Sequence, residues 1–92
     1  MSHSPHRSVS AAHRRHSLLA TLYFESASTA RVGQLVRQME LVHNLAVSTD
    51  LVRSDLRWLQ EMELVQLKDD TAQLSERGRD VAQGRAAFAA DL

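Results

Sequence analysis

The chain lacks cysteine, and this absence excludes disulfide bonds, thiolate metal ligands and thiol nucleophiles. It also lacks any stretch approaching the roughly 20 apolar residues that cross a bilayer. The start, MSHSPHRSVS, has no apolar run after its basic residues, so a secretory signal is not expected. These absences predict a cytoplasmic protein with no membrane partner.

An excess of either charge is absent too, because eleven basic residues balance eleven acidic ones. Residues 1–17 nevertheless carry Arg7, Arg14 and Arg15 and no acidic residue. The remainder carries eight basic and eleven acidic groups and is therefore net negative. Many DNA-binding domains are clearly basic, since displaced counterions supply much of their affinity. The main body of this chain does not have that excess.

Motifs of catalysis and cofactor binding are missing as well. Gly78 and Gly84 do not form a phosphate loop, because neither the spacing nor an adjacent Lys-Ser/Thr is present. No Gly-x-Ser-x-Gly elbow occurs. Histidines at positions 3, 6, 13 and 16 form two pairs, but a stable zinc site needs a further rigid ligand. We therefore predict no enzyme activity, no cofactor and no metal site.

What is present fits one small globular domain. Hydrophobic residues make up 43% of the 92 residues and charged residues 24%, which are ordinary values for a globular chain. Residues 1–9 are polar and contain Pro5, so they are predicted to form a flexible basic arm. The domain is predicted to span residues 10–92.

Apolar spacing predicts two helices in the first half of the domain. The first runs from about residue 10 or 11 to residue 25, with Leu18 and Leu22 on its buried side. The segment SASTA then interrupts the pattern. A second helix is predicted over residues 33–43, ending at Asn44, which can adopt the left-handed conformation. Its predicted buried residues are Leu35, Val36, Met39 and Val42.

The third helix is the best defined, because Ser48 is a good N-cap and Asp50 favours the helix dipole. The helix is predicted over residues 48–61, with one apolar and one charged face. The centre of the apolar face is formed by Val52, Leu56 and Leu59. The opposite face carries Asp50, Arg53, Ser54, Arg57 and Glu61.

A short β-hairpin and a last helix follow. If Asp69 and Asp70 form the loop, the apolar pairs Leu67–Ala72 and Val65–Leu74 share one side of the hairpin. The polar pairs Gln66–Gln73 and Lys68–Thr71 then share the other side. Ser75 is predicted to cap a final helix over residues 76–90, with Val81, Ala82 and Phe88 as its packing residues.

Two residues of the third helix are unusual for their positions. Asp55 lies within the apolar face of the third helix, where a carboxylate needs a polar partner. It is predicted either to pair with a group on another element or to lie at the edge of that face in contact with water. The candidate partners are Arg14, Arg15 and Arg31, or an exposed backbone N–H. Trp58 lies at the edge of the same apolar face. It is predicted to pack over the contact between the third helix and a neighbouring element rather than to stack on bases.

The predicted fold is mainly α with a small β-hairpin. The order helix, helix, helix, hairpin, helix is typical of a winged helix-turn-helix domain, in which the third helix can enter a major groove.

Three segments resemble the winged helix proteins of bacteria, and in particular the short proteins of Mu-like phages that are often labelled ArsR-like. These segments are Val-Ser-x-Asp-x-Val-Arg-x-Asp-Leu-x-Trp-Leu at 47–59, Glu-Leu-Val at 63–65, and Leu-Ser-Glu-Arg-Gly with Val-Ala-x-Gly at 74–84. The resemblance implies a DNA-binding transcription regulator of a phage or prophage. It also implies that DNA is contacted by Ser48, Thr49, Arg53, Ser54 and Arg57.

Arg14 and Arg15 stand near a helix N-terminus, where positive charge is unfavourable to the helix dipole unless an anion binds there. They are therefore predicted to add contacts to the DNA backbone, with a solubilising tail as the alternative. Two features depart from the family. Leu51 stands where a small polar residue is common, and the wing tip is acidic where DNA-binding wings often carry Arg or Lys.

These departures, the neutral net charge and the apolar end AAFAADL leave an alternative open. In that alternative the same fold binds a host or phage protein and no DNA. A homodimer is also predicted, in line with the paired half-sites that many helix-turn-helix proteins read.

Overall fold

The computed structural model describes residues 10–84, and this part of the chain contains four α-helices and a three-stranded antiparallel sheet. The predicted arm at 1–9 lies outside the described residues, as does Phe88 with the rest of the predicted last helix beyond residue 84. Within residues 10–84, no helix has both the length and the apolar character that spanning a bilayer requires.

The first three helices begin and end close to the predicted positions, the fourth begins where predicted, and serine caps explain three of the four starts. Ser10, Ser48 and Ser75 each accept a hydrogen bond from a backbone N–H in the first helical turn. The second helix ends at Asn44, whose φ of 57° and ψ of 37° confirm the predicted left-handed end. The helices are α1 Ala11–Phe24, α2 Val32–His43, α3 Thr49–Glu61 and α4 Glu76–Ala82.

The strands are β1 Thr29–Arg31, β2 Val65–Lys68 and β3 Thr71–Leu74, in the sheet order β1-β3-β2. The predicted hairpin register is confirmed, with Val65 opposite Leu74 and Leu67 opposite Ala72. Asp69 and Asp70 both have positive φ, at 52° and 61°, which is the pattern of the tight turns that match strand twist. The backbone N–H of Leu67, on the edge strand, donates to the side-chain oxygen of Gln60 at 2.7 Å.

The strand β1 was not predicted. It lies in the segment that the sequence only marked as a break, and it follows a 3₁₀ turn at Ser26–Ser28. Its three residues pair antiparallel with β3, with Ala30 opposite Ala72. Three residues are too few to display an alternating pattern, and the partner strand lies about 40 positions later along the chain. The pairing therefore has no local signal.

The core lies between the helices and the inner face of the sheet. In α3 the predicted residues Val52, Leu56 and Leu59 are buried. In α2 the prediction was wrong at one position, because Val42 is exposed. In the same turn His43 contacts Thr21 of α1, so only part of this turn is covered and helical spacing alone overstated its buried face. The other buried apolar residues of the cluster are Leu18, Leu19, Leu22, Ala30, Val32, Leu35, Met39, Leu45, Leu64, Val65, Ala72, Leu74 and Val81.

The last helix is shorter than predicted. It ends at Ala82, and Gly84 has a φ of 76°, a left-handed conformation that interrupts helical geometry. At its start, Gly78 packs directly on the backbone that enters the hairpin. A Cβ at this position would lie 2.0 Å from the carbonyl oxygen of Leu64, so only glycine fits there.

We expect Gly78→Ala to lower the free energy of unfolding by about 3 kcal/mol or more, because the added methyl group overlaps backbone atoms that cannot move independently. Urea denaturation followed by far-ultraviolet circular dichroism measures this change. The matched control is Gly33→Ala, where nothing lies within 4 Å of the added Cβ. This control should be neutral or stabilising by about 0.5 kcal/mol. Equal stabilities of the two variants would contradict the close approach at Gly78.

Candidate nucleic-acid interface

The outward face of α3 carries the predicted contact residues. Ser54 and Arg57 are exposed in its middle, and Ser48 and Thr49 are exposed at its start. The hydroxyl oxygen of Ser48 accepts a hydrogen bond from the N–H of Leu51 at 3.0 Å, so it fixes the helix start. Leu51, which stands where the family commonly has a small polar residue, is half-buried.

Arg53 lies on the same face but is held by acidic side chains. Its Nε and Nη2 donate to the two carboxylate oxygens of Asp70, at 3.0 and 2.7 Å. Its Nη1 donates to Asp50 at 3.3 Å. The geometry is the parallel, two-bond pairing that arginine also forms with phosphate. Arg53 is therefore partly occupied by Asp70 of the hairpin loop and by Asp50 of its own helix.

The ion pair between Arg53 and Asp70 shifts the pKa of both residues. The hydrogen bond from Arg53 lowers the pKa of Asp70 below its ordinary value, and the positive charges of Arg53, Arg57 and Arg31 lower it further. The hydrogen bond with Asp70 in turn raises the pKa of Arg53. The carboxylate of Asp70 thus lies in the field of three guanidinium groups and is ionised at neutral pH.

An open groove of about 440 Å³ lies beside this ion pair, between the start of α2, the start of α3 and the hairpin loop. Its walls include Arg31, Arg37 and Arg53, with Thr49 and Asp70 at the side. The backbone N–H of Val32 donates to the carbonyl oxygen of Asp70 at 2.9 Å, which ties the loop to the start of α2. The groove will be called the arginine groove.

Arg31 and Arg37 were not predicted as site residues. Arg37 lies on the exposed side of α2, where a basic residue is unremarkable in sequence. Arg31 was considered only as a partner of Asp55. Its position depends on the pairing of Arg31 with Thr71 between β1 and β3, which the sequence did not reveal. The only signal in the sequence was the exposed basic residue at helical spacing on α2 together with the acidic hairpin loop. Neither shows by itself that α2, α3 and the loop border one groove.

The predicted ionic partner of Asp55 is confirmed on α1. Asp55 is buried, with 2% of its surface exposed, and accepts from Arg14 at 2.7 and 3.1 Å. Arg15 donates to it at 3.2 Å. The hydrogen bond with Asp55 raises the pKa of Arg14. Arg31, the third candidate partner, lines the arginine groove instead.

Arg14 and Arg15 therefore have a structural role, because their ion pairs with Asp55 link α1 to α3. Their contact with the DNA backbone stays a prediction. The guanidinium of Arg15 also lies over the ring of Trp58, 4.1 Å from its centroid, a favourable cation–π geometry. Trp58 is half-buried against the core, so its predicted place over this joint is confirmed.

Within residues 10–84, no three histidine, aspartate or glutamate side chains come together as metal ligands. Of the histidine pairs noted above, His3 and His6 lie outside the described residues.

We expect Asp55→Asn to lower the free energy of unfolding by about 2 kcal/mol. Breaking a buried ion pair typically costs about 3–5 kcal/mol, and the partly exposed arginines here reduce that cost. Thermal and urea denaturation measure the change. Asp50→Asn, on the exposed side of the same helix, is the matched control and should cost less than about 1 kcal/mol. Equal losses in the two variants would show that the buried carboxylate has no special role.

Comparison with known proteins gave no match to a family model, to a curated protein or to a solved structure.

Proposed function

We propose that this chain is a winged helix-turn-helix protein that binds double-stranded DNA through α3 and acts as a phage or prophage transcription regulator. The observation that carries the proposal is the placement of Arg57 and Ser54 on the exposed face of α3, next to Arg53 and the hairpin. Arg53 and Arg57 lie four positions apart, so both can face one groove of a duplex.

The order of elements supports the fold in this proposal. α2 and α3 pack against each other and are joined by a short turn that starts at the left-handed Asn44. The hairpin of β2 and β3 follows α3 directly, in the place of a wing. The three segments that resemble winged helix proteins of Mu-like phages fall on α3, on the entry to β2 and on α4.

The proposed contacts follow from side-chain chemistry. The guanidinium of Arg57 can donate two hydrogen bonds to a guanine edge, and Ser54 can contact either a base or a phosphate. Ser48 and Thr49 stand at the start of α3, where backbone N–H groups and the helix dipole favour a phosphate. Arg31 and Arg37 add positive charge beside this start, which helps to offset the neutral net charge of the chain.

A second candidate function, binding of a protein, is favoured by one surface. Phe24, Leu41 and Val42 have 83%, 77% and 65% of their surface exposed, which is unusual for large apolar side chains. Phe24 and Val42 line a hollow of about 160 Å³ between the ends of α1 and α2. Such a cluster is typical of protein–protein contacts, and a second copy of the chain is the simplest partner.

We expect Arg57→Ala to weaken binding to a cognate duplex by about 1–3 kcal/mol, the usual cost of losing a bidentate base contact. Fluorescence anisotropy measures this, first with mixed-sequence duplexes at low salt and then with a selected site. The matched control is Arg79→Ala, which removes the same charge from α4, an element that packs on α1 and β3.

Wild-type protein should bind mixed duplexes weakly, and this binding should fade as salt rises. Equal affinities of wild type, Arg57→Ala and Arg79→Ala would remove Arg57 from the interface. Absence of any duplex binding at low salt would refute the proposed function.

The second candidate predicts self-association through the apolar cluster. Sedimentation equilibrium should then detect a wild-type dimer at high concentration and a monomer for the double variant Leu41→Ser, Val42→Ser. Glu40→Ser, an exposed change on the same helix, should leave the dimer intact. A wild-type protein that stays monomeric would exclude a second copy as the partner.

A further inference from the structure

The carboxylate of Asp70 occupies the position in the arginine groove that an anionic ligand would take. It receives two parallel hydrogen bonds from Arg53, at 3.0 and 2.7 Å, which is the geometry of an arginine–phosphate contact. Arg31 and Arg57 lie close enough for their charges to act on the same carboxylate. Arg37 completes the wall of the groove.

The position of this carboxylate is set by the backbone. Asp69 and Asp70 both have positive φ, so the turn between β2 and β3 is tight. The N–H of Val32, the first residue of α2, donates to the carbonyl oxygen of Asp70 at 2.9 Å. The loop is thus fixed against α2 independently of the ion pair, and its side chain is aimed at Arg53.

Asp69 differs from its neighbour in this respect. It belongs to the same turn and carries the same charge, but it lines a polar hollow on the outer side of the sheet, with Lys68 and Gln66. Among the ion pairs between described residues, Arg53 pairs with Asp70 and Asp50 and not with Asp69. Replacing each aspartate in turn therefore removes the same charge from two different positions, and the comparison distinguishes an effect of position from an effect of charge.

We propose that the arginine groove is a phosphate-binding site and that the Asp70 carboxylate competes with the phosphate for Arg53. The ligand chemistry is a phosphate group, supplied either by a nucleic-acid backbone or by a free phosphate. Binding of a nucleic-acid backbone rests on the proposed function. In wild-type protein a phosphate can contact Arg53 only when the Arg53–Asp70 ion pair separates, and this requirement weakens binding that depends on phosphate contacts alone.

This competition lowers the amount of non-specific complex. Non-specific binding to DNA depends almost entirely on phosphate contacts, whereas specific binding adds contacts to base edges. An internal competitor for one phosphate weakens all complexes by a similar factor, so the ratio of specific to non-specific affinity stays the same. Complexes that also use Arg57 on a base edge keep the higher affinity, whereas complexes with mixed sequences become weak and salt-sensitive.

The test compares Asp70→Asn with the matched control Asp69→Asn. Asparagine tolerates positive φ, so both variants keep the turn, and the bond from Val32 uses only the backbone of residue 70. A third variant, Asp70→Asn with Arg37→Ala, restores the wild-type net charge and removes one wall of the groove.

The first measurement is binding to a mixed-sequence duplex at several salt concentrations. We expect Asp70→Asn to bind about eightfold more tightly at about 0.1 M salt and to steepen the salt dependence by about one released counterion, as one added phosphate contact does. Asp69→Asn should change affinity less than about twofold, because Arg53 pairs with Asp70 and Asp50 and not with Asp69, so this variant frees no guanidinium for a phosphate. The double variant should lose most of the gain.

The second measurement is titration with inorganic phosphate, followed by the amide resonances of Val32 and Gly33. In Asp70→Asn we expect saturable changes in the chemical shifts of these amides, and in wild type and Asp69→Asn we expect smaller changes at the same phosphate concentrations. If both single variants bind the duplex with equal affinity and show equal phosphate shifts, the inference is overturned and the proposed function stands. Saturable phosphate shifts in Asp70→Asn without duplex binding by any variant would support the groove and refute the proposed function. Neither duplex binding nor phosphate shifts in any variant would refute both.

Discussion

The contact between the Asp55 carboxylate and the two arginines of α1 fixes how α3 is rotated about its axis. Asp55 is buried, and an unpaired charge in that place would be strongly unfavourable. A rotation of α3 would move the carboxylate away from Arg14 and Arg15 and expose part of the apolar face. Because Arg57 lies two positions further along the same helix, the direction of the outward face depends on this inward contact.

The parts of the fold that depend on local spacing were predictable from the sequence. The caps at Ser48 and Ser75, the buried face of α3 and the hairpin register all follow from residues a few positions apart. Three arginines, among them the two observed, were named as candidate partners of Asp55 beside a backbone N–H, because a charge inside an apolar face needs compensation. Polar groups in apolar positions were thus informative about distant contacts.

The parts that depend on distant pairing were not predictable. β1 is too short for a periodic pattern, and its pairing with β3 brings Arg31 to the arginine groove. The bond between Arg53 and Asp70 joins residues 17 positions apart, and it requires the hairpin to fold back towards the start of α3. The sequence marked Asp70 only as an unusual acidic residue in a wing. Its effect on Arg53 is visible only in three dimensions.

The side-chain oxygen of Gln60 also closes one border of the sheet. In a three-stranded sheet, β2 forms an outer border whose free N–H groups could recruit a strand from another molecule. The N–H of Leu67 is already engaged by Gln60, and the opposite border, β1, is only three residues long. Neither border offers a long template for strand addition, so the sheet gives little opportunity for amyloid-like growth between copies of the chain.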